Sequence, residues 1–146
     1  MKHKAQMIFL MATLSILSCK KGRSSTHSDF VSKEECIKGI LKQDDSLGKL
    51  RNVSCKQVSL SKSIADYTKE IGQFDYSNCP EALSKAFKTH KEAWNEMMVI
   101  TNKYPDLRGE MHDLFDQIEI GSDSTQFRIL LKNIWDTWAD VETASK

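Results

Sequence analysis

The side chains able to do chemistry are few and dispersed. His90 falls on an apolar stripe with Leu83, Phe87, Trp94, Met97, Thr101 and Tyr104. A histidine there is either a core side chain bonded to a neighbour or, as in bundles that hold haem or metals, an axial ligand. The bonded core side chain is the simpler assignment. Met97 and Met98 precede Pro105 closely, and Met111 and His112 follow it at similar distance. A chain folded back at the proline would set the four at one depth, where thioether and imidazole groups suit Cu(I). Met97 and Met111 also lie on apolar stripes, where methionine is an adaptable filler. His112 is turned about 100° around the helix from Met111. Core packing is therefore the better assignment for this group too. Trp135 sits beside Trp138 on the last stripe, as flanking core or as an exposed anchor for a partner. No phosphate-binding glycine loop, G-x-S-x-G or H-E-x-x-H is present, so no catalytic residue and no cofactor is assigned.

The elements that must position these groups are helices. Leu60, Ile64, Tyr67, Ile71 and Phe74 recur at alternating steps of four and three, and the stripe through His90 continues the pattern. Leu107, Met111, Leu114 and Ile118 form another set, and Phe127, Leu131, Ile134, Trp138 and Val141 a last one. A mean step near 3.5 puts each set on one helix face and suits helices packed with slight left-handed supercoil. Only two prolines and six glycines interrupt the chain. The expected fold is all-α, an antiparallel bundle of four to five helices near 31–45, 58–74, 80–104, 106–120 and 124–143. Asp44, Asp45 and Gly48 are expected to end the first helix. Punctuation supports the rest. Ser32 with Glu35 forms a capping box with Val31 as staple, Pro80-Glu81 opens the third helix, and Pro105 separates third from fourth. Gly121 serves as a C-cap, and Asp123 with Gln126 resembles a second capping box.

The N-terminus carries a different signal. Lys2, His3 and Lys4 precede an uncharged, mostly apolar run from Met7 to Leu17, which ends at Ser18-Cys19. A positive flank, a short apolar core and a small residue at the junction make a secretory signal. The run is too short to span a bilayer, which takes about 20 residues. Residues Lys20 to Ser28 are small, polar and basic and are expected to form a tether whose charges can meet anionic headgroups. Ile16-Leu17-Ser18-Cys19 resembles the lipobox of bacterial lipoproteins. That resemblance implies cleavage before Cys19, acylation of its thiol, and a chain held at the cell envelope on the periplasmic or cell-surface side. It divides the chain into a signal peptide (1–18), a tether (19–30) and a bundle domain (31–146).

Without its first eighteen residues the chain carries 19 basic and 20 acidic residues, a net charge of −1. That balance excludes the basic footprint of a nucleic-acid binder. Cys36, Cys55 and Cys79 remain, and export favours one disulfide with one thiol left over. Antiparallel packing puts the starts of the first and third helices at one end, which favours Cys36–Cys79. Were the first helix to cross at an angle, Cys36–Cys55 would be favoured. Closing so long a loop is worth roughly 3–4 kcal/mol on the chain-entropy account.

The segment Asp75-Tyr76-Ser77-Asn78-Cys79-Pro80, followed by His90 and Ala93-Trp94, resembles one in small secreted helical bacterial proteins (D-x-S-x-C-P, then H-x-x-A-W). The resemblance covers roughly residues 60 to 95 and implies a fold but no activity. The expected function is thus a non-enzymatic binding or structural module, anchored in the membrane through Cys19 and acting on an envelope protein partner. A metal- or haem-binding bundle is the alternative.

Overall fold

The computed structural model describes residues 32–146. The signal segment, Cys19, the tether and Val31 lie outside the described residues. Five helices make up the domain: α1 (Lys33–Ser54), α2 (Leu60–Ile71), α3 (Glu81–Thr101), α4 (Met111–Glu119) and α5 (Ser124–Ala144). No strand occurs among the described residues. The chain is all-α, and its stripes are where the spacing put them. Leu60, Ile64, Tyr67 and Ile71 are buried, as are Leu83, Phe87, His90, Trp94 and Met97, then Leu114 and Ile118, then Phe127, Ile134 and Val141.

Helix α3 is the centre of the bundle. It packs against α5 on one side and α2 on the other, α1 lies on α2, and α4 lies on α5. Directions alternate. Cys36 at the start of α1 is disulfide-bonded to Cys79 just before α3, with Cα atoms 5.3 Å apart. At the opposite end, the Gly109 amide donates to the Cys55 carbonyl at 3.0 Å and the Leu60 amide donates to the Leu107 carbonyl at 3.0 Å. Helices α1 and α3 therefore run together and α2 returns between them. Tyr104, after α3, donates its hydroxyl proton to Asp123, before α5, at 2.8 Å, so α5 runs back along α3.

Three expectations about boundaries are corrected. Helix α1 does not stop near Asp45 but continues to Ser54. Asp45 is paired with Lys49 one turn on at 2.6 Å. Asp44 turns inward, where its carboxylate accepts from the Tyr67 hydroxyl at 2.8 Å. Both aspartates thus have partners that the helix itself or its neighbour supplies. The fourth helix starts at Met111, not 106. Nine residues separate the end of α3 at Thr101 from Met111, and among them Leu107 and Gly109 bond to the α1–α2 turn. Gly109, at φ 156°, interrupts helical backbone, and a side chain there would also press on Leu114. Glu110 then caps α4, its carboxylate accepting from the amides of His112 and Asp113 at 2.8 and 3.3 Å. Finally, Asp123 precedes α5 without capping it. Its carboxylate is taken by Lys103 at 2.5 Å and by Tyr104, which staples α5 to the end of α3 instead. The Ser32–Glu35 capping box is present in both directions, at 2.8 and 3.1 Å.

Candidate functional site

Because α1 rests on α2 and α5 rests on α3, the flanks of α1 and α5 leave a groove open between them. Its volume is about 1010 Å³. The floor is Tyr67 of α2 with His90 and Trp94 of α3. One wall is α1 from Leu41 to Asn52, and the other is α5 from Leu131 onward, with Met111, His112 and Phe115 of α4 closing one side. Leu131, Ile134, Trp138 and Phe115 make most of the wall apolar. All three tryptophans of the chain border this space.

His90 anchors the floor. The Trp94 indole N–H donates to His90 Nε2 at 3.1 Å. An indole nitrogen can only donate, so Nε2 is the unprotonated nitrogen and Nδ1 carries the proton. Nδ1 lies 2.9 Å from Thr137 Oγ1, whose own proton is directed at the Asn133 and Ile134 carbonyls, each at 3.0 Å. The hydroxyl oxygen is therefore free to accept from His90. Both ring nitrogens are engaged, and the ring packs against Trp138 at 5.4 Å. A metal at either nitrogen would have to displace Thr137 or Trp94.

Burial holds the His90 imidazole neutral, pushing its pKa down to about 4, with the nearby Arg51 charge acting the same way. Between its ordinary 6.5 and about 4 the unfolded chain binds a proton that the folded chain refuses. This contribution to stability is complete above pH 6.5 and is lost as pH falls through that window, about 3 kcal/mol in all. Asp44 works in the opposite sense, since burial raises its carboxyl. Urea midpoints measured from pH 7 to 4 should fall in the native chain and fall less in His90→Gln, which retains Asp44. Equal slopes would contradict the assignment.

Arg51 sits above this floor. Its guanidinium carbon lies 4.0 Å from the Trp94 ring and 4.4 Å from the Tyr67 ring, stacked on both. Nε and Nη2 donate to Asn52 Oδ1 at 3.3 and 3.2 Å. Among the described residues no carboxylate forms an ion pair with Arg51. Beside it, Tyr67 holds the buried carboxylate of Asp44, and the phenol is pushed far above its ordinary range by burial and by that negative neighbour.

The residues singled out in the sequence are partly brought together. His90, Met111, His112, Trp135 and Trp138 border the groove, whereas Met97 and Met98 do not. Met97 and Met111 are buried, Met98 is half-buried, and His112 is exposed with Nδ1 3.0 Å from Glu110. Among the described residues no group of three His, Cys, Asp or Glu side chains is arranged to hold a metal. Cys55 is a buried free thiol beside the Arg51 carbonyl, at 3.2 Å, and burial raises its pKa, so it is a poor nucleophile. Trp135 is 63% exposed at the lip of the groove. The sequence reading missed Asp44, Arg51 and Tyr67 as a unit. Their signal was present, because Cys36, Ile40, Asp44, Leu47 and Arg51 recur at helical steps with polar members inside the stripe.

Fold and site together define a helical bundle with an aromatic-floored groove. Comparison of the chain with protein-family models, characterised proteins and solved structures finds no match.

Proposed function

We propose that this protein is a non-enzymatic binding module, held at the bacterial envelope by a lipid on Cys19, that takes its partner molecule in the groove between α1 and α5. The groove itself carries the proposal. A concave, mostly apolar space with a few inward polar groups is the usual form of a ligand site. Here it is set on rigid helices, with the floor locked by the Trp94–His90–Thr137 hydrogen bonds. The exposed indole of Trp135 beside it supplies an anchor of the kind enriched at binding surfaces. The anchor reading is supported by the Ile16-to-Cys19 motif and the basic run after it. No described helix is long and apolar enough to cross a membrane.

Native mass spectrometry of the full chain carrying Cys19→Ser, recovered from a bacterial envelope, tests the groove. A retained adduct is expected, and Leu131→Arg, which places a charge on the half-buried wall, should abolish it without unfolding the bundle. Bare protein in both samples, or an adduct indifferent to Leu131→Arg, would sink the reading.

A further inference from the structure

The deep end of the groove offers one cation whose hydrogen bonds are not exhausted. A guanidinium has five N–H donors in a planar fork. Arg51 commits Nε and Nη2 to a single amide oxygen and stacks its face on Trp94 and Tyr67, while Nη1 makes no hydrogen bond among the described residues. Stacking fixes the plane of the fork but leaves its edge available, and that edge suits a carboxylate. The nearby carboxylate of Asp44 accepts from Tyr67 and feels the Arg51 charge, but it forms no ion pair with the guanidinium.

Away from Arg51 the groove changes character. Leu131, Ile134, Trp138 and Phe115 present hydrocarbon, and the α1 wall from Leu41 to Arg51 runs about 15 Å. The mouth is acidic, with Asp45, Asp116, Glu119 and Glu142 lining it. Lys49 pairs with Asp45 and Arg128 with Glu119, and apart from Arg51 itself Lys146 is the remaining cation along the lining, so acids still outnumber bases there. A ligand with several negative charges would be repelled there, whereas one buried charge on Arg51 would not.

Building on the groove as a binding site, we infer that it takes an unbranched fatty acid, its single carboxylate on the Arg51 fork and its alkyl chain along α5. Charge complementarity selects the monoanion, and the apolar wall selects the chain.

The three tryptophans report binding directly. The full chain carrying Cys19→Ser is titrated with dodecanoate, dodecanol and dodecyltrimethylammonium below their micelle concentrations, following indole fluorescence. Dodecanoate should bind tightest, and Arg51→Gln should weaken it about tenfold to a hundredfold while leaving dodecanol unchanged. Arg51→Lys, which keeps the charge, should recover part of the loss, and it decides the matter if Arg51→Gln does not fold. Equal affinity for acid and alcohol, or indifference to Arg51, would overturn the head-group assignment while leaving an apolar groove site intact. Tightest binding of the quaternary ammonium would assign the site to the acidic mouth and overturn the inference. Failure of all three to bind would remove the fatty acid as occupant, and an adduct seen by native mass spectrometry would then show the groove serving another ligand.

Discussion

Replacing His90 with alanine should destabilise the bundle by about 3–5 kcal/mol, enough to remove much of the stability of a domain this size. Two effects combine. The ring leaves a void among Trp94, Trp138 and α5, and the Trp94 indole N–H loses its acceptor while still buried. Chemical denaturation monitored by far-UV circular dichroism measures the loss. His90→Gln should recover part of it, because the side-chain amide oxygen can accept from Trp94. A loss below about 1 kcal/mol for the alanine variant would mean that the His90 bonds do not organise the core.

The second large effect belongs to the disulfide. Serine at both Cys36 and Cys79 should lower stability by roughly 3–4 kcal/mol, since the cross-link closes a loop with a sequence separation of 43. For a domain of this length that corresponds to a fall in melting temperature of roughly 10–20 °C. The same fall should follow reduction of the native chain, whereas Cys55→Ala should leave the response to reductant unchanged. If the double variant melts with the native protein, the link between the α1 and α3 starts contributes nothing. Equivalent sensitivity in Cys55→Ala but not in the double variant would reassign the bridge.

The bundle was legible because its register is almost wholly apolar on one face. Most members of the stripes from Leu60 to Val141 are buried as spaced, with Phe74, Tyr104, Leu107, Leu131 and Trp138 half-buried. The antiparallel order that brings Cys36 to Cys79 follows from helices joined in alternating directions. What escaped were places where polar residues turn inward. Asp44 looks like a helix breaker in sequence, and only the Tyr67 hydroxyl, 23 residues away, makes it a buried member of α1. Arg51 reads as a surface cation until the Trp94 and Tyr67 faces are brought under it. Such partners are non-local: the helical spacing of Cys36, Ile40, Asp44, Leu47 and Arg51 marks a stripe with polar members but does not name what they meet. Asp123 shows the reverse error. Its spacing to Gln126 imitates a cap, but Lys103 and Tyr104, just after α3 and about twenty residues earlier, claim the carboxylate first. The joint after Pro105 was misjudged for a similar reason, because Leu107 and Gly109 find partners on the α1–α2 turn rather than in a helix of their own.

These inward polar residues are also the ones that give the groove its character. Asp44, Tyr67 and Arg51 create a polar end, and His90, kept neutral, supports the aromatic floor without adding charge. The site is therefore a product of the tertiary arrangement of α1 over α2 and α3, while the helices that build it are a product of local sequence.

The measurement closest to the central claim is a nitrogen-15 spectrum of the full chain carrying Cys19→Ser, recorded before and after adding a lipid extract of the bacterial envelope. The account predicts shifts confined to the three tryptophan indole signals and to amides of α1, α4 and α5 along the groove, with α2's outer face unmoved. An unchanged spectrum, or shifts gathered on a surface away from the groove, would contradict it.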